Sequence, residues 1–236
     1  MKSCVFVTGV GNIGFAATLL NTIGRDMSGD YSPLYYLEDR TSGCDFTGFE
    51  YLFDGRFDGI VKHTGRGGCN ALWNQAVSFG YHNGYDCVVV LNDDIQSPKS
   101  GLINQMERVL EQNDHVAMVG TGSDGVWDNE HKVCERWFTD PSLLVEAREH
   151  CETFRNRPVK YVHHVSGLAW ACKTKPWLDA GGISEHFFWA FGEVQPCIEL
   201  RKLDYQSVAV QWPVTVMHWG GGAFYDIHSD ENRHKS

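Results

Sequence analysis

Tyr85-Asp86-Cys87-Val88-Val89-Val90-Leu91-Asn92-Asp93-Asp94 is the stretch on which the fold turns. The unbroken apolar run from Cys87 to Leu91 fits a strand buried on both faces, as found inside parallel sheets, rather than the alternating pattern of a half-solvated one. It stops directly on an amide and two carboxylates. Ligands of open parallel sheets bind beyond the carboxyl ends of the strands. A polar triplet at that place therefore marks a candidate binding edge.

Working outward, Cys4-Val5-Phe6-Val7-Thr8 predicts a first strand, and Phe15 to Ile23 a helix after a Gly-rich turn. Pro33 to Leu37 predicts a second strand that ends on Glu38-Asp39, a second acidic cluster. Ile60-Val61-Lys62 predicts a short third strand, and a helix from about Asn70 carries Leu72, Ala76 and Phe79 at i, i+4 and i+7. Downstream, Ser97-Pro98 has the form of N-cap and N1 of a helix whose apolar face holds Leu102, Met106, Val109 and Leu110. Val116 to Gly120 predicts a further strand. From Thr121 to Pro158 the pattern weakens, apart from a helix expected after Asp140-Pro141, and the remainder is expected to be a loop over the site. His163 and His164 are assigned to a strand. Strands alternating with helices predict an α/β fold, a mostly parallel central sheet with helices on both faces and a Rossmann-like nucleotide-binding half. One domain over 1–236 is expected, with a nucleotide-binding half to about 95, an acceptor and catalytic half from about 96 to 225, and a tail over 226–236.

A chain of 236 residues, 42% of them hydrophobic, can bury a sizeable core. Twenty Lys and Arg stand against thirty Asp and Glu, a formal charge of -10. Such a surface repels phosphate backbones and anionic membranes, which argues weakly against a nucleic-acid partner. No apolar run reaches about 18 residues and the N-terminus lacks a signal-peptide h-region, so a soluble, cytoplasmic protein without a transmembrane segment is expected. The eight Cys include no C-x-x-C pair and are expected to be reduced core thiols.

Gly9-Val10-Gly11-Asn12-Ile13-Gly14 is a literal G-x-G-x-x-G between a strand and a helix, with Glu38 where a ribose-binding acid would sit. An NAD(P)-binding oxidoreductase is one reading of it. A tight turn of another nucleotide-binding α/β fold is the other. No Tyr is followed four residues later by Lys, so the pair that short-chain dehydrogenases use is missing. Asn92-Asp93-Asp94 crowds two carboxylates whose mutual repulsion calls for a compensating cation. A divalent metal held by one or two carboxylates and by phosphate oxygens is the usual arrangement for nucleotide substrates. A solvated turn is the plainer alternative.

Taken together, these segments resemble glycosyltransferase family 2 on the GT-A fold from about Ser3 to Phe224, in particular rhamnosyltransferase-like members whose D-x-D motif is written N-x-D. The resemblance is carried by Val90 to Ile95, by Gly65-Arg66-Gly67-Gly68-Cys69-Asn70-Ala71-Leu72-Trp73-Asn74, and by Ser166-Gly167-Leu168-Ala169-Trp170 through Gly181-Gly182-Ile183-Ser184-Glu185-His186-Phe187-Phe188. Gly192-Glu193 and Val216-Met217-His218-Trp219-Gly220-Gly221-Gly222 complete it. It implies that Asp94 and His218 bind Mn²⁺ or Mg²⁺. It places Thr8, Gly9, Glu38, Asp39, Arg66, Asn74, Asn92, Asp93 and Gly167 around a nucleotide-sugar donor, a UDP- or dTDP-sugar being favoured. Glu193 inherits the role of catalytic base in an inverting hexosyl or deoxyhexosyl transfer to a hydroxyl on a glycan, a lipid-linked sugar, a protein or a modified nucleobase. Where the family carries an E-D pair, this chain has Gly192-Glu193, and Gln195 stands for a later acid. These departures keep a catalytically weak sugar-binding module among the alternatives, beside a nucleotidyltransferase.

Overall fold

The computed structural model describes residues 1–9, 13–23, 32–39, 48–53, 55–63, 65, 68–96, 101–123, 152–154, 157–185 and 192–218. In chain order the elements are β1 (Ser3–Gly9), α1 (Ile13–Ile23), β2 (Leu34–Asp39), α2 (Phe49–Leu52), β3 (Gly59–His63), α3 (Cys69–His82), β4 (Cys87–Asn92) and β5 (Ile95–Gln96). They continue with α4 (Leu102–Gln112), β6 (Val116–Ser123), β7 (Glu152–Phe154), β8 (Arg157–Val162), β9 (Ala169–Lys173), α5 (Thr174–Asp179), α6 (Val194–Lys202) and β10 (Gln206–His218).

The sheet runs β3-β2-β1-β4-β9-β6-β10-β8-β7, with β5 paired to β10. β1, β2, β3 and β4 are parallel, and β6 and β10 are parallel to each other across the antiparallel β9, so they point the same way as β4. Only β5, β8 and β9 run against that direction. The expected mostly parallel sheet is therefore present, with a mixed second half.

Both faces of the central strands are covered, which is why their sequences do not alternate with polar residues. Val5, Val7, Val89 and Leu91 face one core, filled by Leu19 and Leu20 of α1, Phe49 of α2 and Met106, Val109 and Leu110 of α4. Cys4, Phe6, Val88 and Val90 face the other, filled by Leu72, Trp73 and Ala76 of α3, Trp177 of α5 and Cys197 and Leu200 of α6. In this second core Trp170 stacks on Trp177 at 4.9 Å and meets Trp73 edge-on at 5.6 Å. Such pairs add about 0.5–1.5 kcal/mol each beyond the area they bury.

Two expectations change. α4 begins at Leu102 behind Gly101, whose φ of 101° suits only glycine, so the helix starts later than Ser97-Pro98 implied; those two residues lie outside the described ones. His163 and His164 form a bend beyond the end of β8, because the chain must leave the sheet edge to reach β9. The helix expected after Asp140-Pro141 also lies outside the described residues. Cys4, Cys87, Cys172 and Cys197 are buried free thiols and Cys69 is a half-buried one. Among the described residues no helix is long and apolar enough to cross a membrane.

Gly80 shows how tightly α3 lies on the sheet: a Cβ there would overlap Cγ2 of Val88 in β4 and come within 3.5 Å of Thr174 and 3.7 Å of Cys4. Gly→Ala inside a helix ordinarily gains about 1 kcal/mol. Here Gly80→Ala is expected to lose roughly 1–3 kcal/mol instead through overpacking, which urea unfolding would read as a lower midpoint. A raised midpoint would mean that α3 can lift from β4.

Candidate functional site

The carboxyl ends of four parallel strands lie in register along one edge. Gly9 pairs with Glu38, Asp39 with His63, and Thr8 with Asn92. Because the strands are parallel and end together, Thr8-Gly9, Glu38-Asp39 and Asn92-Asp93-Asp94 form one row. The Thr8 hydroxyl donates to Oδ1 of Asn92 at 3.2 Å and so orients that amide, while the Asn92 N–H donates to the Leu168 carbonyl at 3.0 Å. The second bond ties this edge to the Gly167 segment.

The two aspartates after Asn92 have different surroundings. Asp93 is buried against Gly9 and Tyr36: the Tyr36 hydroxyl donates to its Oδ2 at 3.3 Å, and its N–H donates to the Thr8 carbonyl at 3.0 Å. Burial, and then the neighbouring charge of Asp94, push its carboxyl well above the usual carboxylate range. A Cβ on Gly9 would overlap the Asp93 carboxyl and sit 2.6 Å from the Tyr36 hydroxyl. The first glycine of the G-x-G-x-x-G stretch is thus required by packing inside the protein. Val10, Gly11 and Asn12 lie outside the described residues.

Asp94 is buried in the turn that follows β4. In the antiparallel pairing of β5 with β10, His218 stands opposite Ile95, the residue after Asp94. Its backbone thus reaches the same corner, while its side chain is outside what is described. Among the described residues no three His, Cys, Asp or Glu side chains converge as a metal cage.

At the end of β2, Asp39 is buried and its Oδ2 accepts the N–H of Gly68 at 3.0 Å. Gly68 is the N-cap of α3, with φ 102° and no side-chain cap of its own. Asp39 therefore supplies the negative charge that a helix N-terminus favours, and fixes the start of α3. Glu38 is also fully buried. Arg66 lies outside the described residues.

One face of α3 carries the rest of the site. Asn70, Trp73 and Asn74, spaced i, i+3 and i+4, each press on a glycine in a different segment. A Cβ on Gly192 would overlap Asn70, one on Gly167 would come within 2.5 Å of Trp73, and one on Gly182 within 2.7 Å of Asn74. Asn74 also donates to the Ile183 carbonyl at 2.8 Å and accepts the Ile183 N–H at 3.0 Å, so its amide is engaged in seating this loop. Gly181 and Gly182, at φ 86° and 65°, end α5 through N–H bonds to Leu178 and Trp177.

Glu193 is half-buried at the N-cap of α6. It lies beside the first turn of α3: the Cys69 thiol is pushed up to about 12, first by burial, then by the charge of Glu193, with a smaller push from Asp39. Both departures from the family pattern have structural uses. Gly192 leaves room for Asn70, and Oε1 of Gln195 accepts the Ser184 N–H at 2.9 Å. Sequence reasoning missed Tyr36 and Asn70. The signal for Asn70 was a polar residue on the face of a helix that otherwise points into the core.

A cleft of about 550 Å³ opens at the opposite end of the strands, by Met1, Tyr85, Asp86 and Lys173. Several of its charges are engaged: Glu111 with the Met1 amine, Lys175 with Asp179, and Lys173 with the carbonyls of Asn113 and Asp114. It is remote from both acidic clusters, and the strand-end edge is the better candidate for chemistry.

Raised from 9.0 to about 12, the Cys69 thiol should alkylate with iodoacetamide at pH 8 roughly a thousandfold more slowly than a free thiol, because only the thiolate attacks. The rate should keep rising with pH through pH 10. Glu193→Gln removes a charge that raises this thiol and is expected to speed labelling; an unchanged pH profile would separate the two residues.

No protein-family model matches the chain, and no curated protein matches it in sequence. Solved structures do match. TarS of S. aureus shares 12% identity at a TM-score of 0.60, over 96% of this chain and 38% of that one. GalNAc-T7 with UDP, GalNAc and Mn²⁺ shares 10% at 0.65, over 94% and 45%. The mannosyltransferase PcManGT from Pyrobaculum calidifontis, in complex with GDP-Man and Mn²⁺, shares 14% at 0.61, over 92% and 56%. The chain thus spans 38% to 56% of the length of these three. At identities of 10% to 14% the likeness is one of fold, and the fold is the GT-A type of glycosyltransferases.

Proposed function

We propose that the chain is an inverting, metal-dependent glycosyltransferase that moves a sugar from a nucleotide diphosphate donor, with UDP- or dTDP-sugars favoured, to a hydroxyl acceptor. The observation that carries this reading is the convergence on one sheet edge of Asp94, the Thr8–Asn92 pair and Asp39, with Glu193 brought alongside by the first turn of α3. Proteins of similar fold have been solved in complex with UDP, UDP-GlcNAc or GDP-Man, two of them with Mn²⁺, which supports the donor class and the metal.

Inverting transfer needs a base at the acceptor hydroxyl and a stabilised leaving group. Glu193 takes the hydroxyl proton as that oxygen bonds to the anomeric carbon and the bond to the diphosphate oxygen breaks. Glu38, Asp39 and Asn92 hold the nucleoside end, Asn92 with its amide oriented by Thr8. The N-terminus of α3 faces the donor edge with its positive dipole end. Asp94, with His218 at the same corner, would hold the divalent cation. When bound, that cation supplies Lewis-acid neutralisation of the departing diphosphate, and an imidazole ligand tilts the choice toward Mn²⁺ over Mg²⁺.

UDP or dTDP is expected to raise the melting temperature only with Mn²⁺ or Mg²⁺ present, by about 2.7 kcal/mol of stabilisation at a hundredfold excess over Kd. Asp94→Ala should abolish that metal-dependent gain and leave the metal-free melting temperature within a few degrees. Stabilisation by NAD instead would return the oxidoreductase reading. Glu193→Gln should keep UDP affinity within a few fold and lower single-turnover transfer by about 10² to 10⁴. A Gln variant that transfers at the wild-type rate removes Glu193 from the base role.

A further inference from the structure

Asn70 is 1% exposed although it is polar and lies in the first turn of α3. A Cβ built on Gly192 would overlap its Oδ1, with its Cγ 2.5 Å and its Nδ2 2.8 Å away. The carboxamide of Asn70 therefore occupies the volume that any side chain at position 192 would need. Gly192 is not among the glycines with positive φ. Its lack of a side chain is demanded by space and not by backbone conformation. Gly192 is bonded directly to Glu193, so whatever presses on residue 192 sets the peptide plane from which the Glu193 side chain departs. Next to Asn70, the Cys69 thiol is raised in part by the charge of Glu193, so the two lie within electrostatic reach.

We infer that Asn70 is a positioning residue for Glu193: its carboxamide, seated over Gly192, fixes the backbone from which the Glu193 carboxylate is aimed at the acceptor hydroxyl. The inference rests on the reading of Glu193 as base. Asp39 grips the same turn from the donor side through the Gly68 N–H. The acid at the donor and the acid at the acceptor are thereby both referenced to Gly68-Cys69-Asn70, so their separation is set by one turn of helix rather than by the long chain between them.

The test combines three readouts with Mn²⁺ present: UDP affinity by calorimetry, single-turnover UDP release from UDP-GlcNAc, UDP-glucose and UDP-galactose, and amide exchange of the 193–198 peptide. Asn70→Ala should leave UDP affinity within about twofold, slow UDP release roughly 10- to 100-fold as expected for a misplaced reacting group, and speed amide exchange at the start of α6. In a Glu193→Gln background the same change should cost nothing further. Gly192→Ala alone should slow release and exchange faster, and Asn70→Ala with Gly192→Ala should recover most of the loss, since the new methyl then fills the vacated space. Asn70→Ala with wild-type release and exchange overturns the inference, as does an equal loss in the Glu193→Gln background. Wild-type release by Glu193→Gln alone overturns the base reading on which the inference depends. If none of the three sugars is released, exchange decides: an unchanged 193–198 peptide in Asn70→Ala overturns the inference.

Discussion

The seating of α3 on three glycines is the constraint from which the rest of the site follows. Protein interiors pack at crystal-like density, so a helix approaches a loop closely only where the loop gives up its side chains. Gly192, Gly167 and Gly182 do this under Asn70, Trp73 and Asn74, and a single added methyl at any of them would force several atoms apart. Two turns beyond Trp73, the C-terminal end of α3 is held down on β4 by the Gly80 contact with Val88. Fixed near both of its ends, the helix converts the rigidity of the parallel sheet into placement of loops that belong to no strand.

A second constraint is electrostatic. Four acids, Glu38, Asp39, Asp93 and Asp94, are buried along one edge of a chain that is already net negative. Burying unpaired carboxylates is expensive, and here they are accommodated in different ways. Asp39 takes the N–H at a helix start. Burial, with the charge of Asp94 beside it, holds the Asp93 carboxyl well above the usual carboxylate range.

Much of this was legible in the sequence. The run from Cys87 to Leu91 announced a strand covered on both faces, and the acids that follow it fell where parallel strands end. The antiparallel β9 was not legible, because Ala169 to Lys173 is apolar in the same way whichever direction it runs. The start of α4 was misplaced because Ser-Pro is a common helix opening, whereas the actual stop signal was the positive φ that only Gly101 tolerates. Within the site, Asn74 was legible as a fixed point but not as a seat for the Ile183 loop, since that contact spans 109 residues. Gly192 looked like a lost acid; its function as clearance for Asn70 exists only in three dimensions.

The three contacts of α3 also have a consequence for how such a sequence can diverge. In each, a side chain on the helix and a missing side chain on a loop are two halves of one shape, contributed by positions 122, 94 and 108 residues apart. Neither half can enlarge while the other stays as it is. In Asn70 with Gly192, Trp73 with Gly167 and Asn74 with Gly182, enlarging one member therefore requires a compensating reduction in its partner.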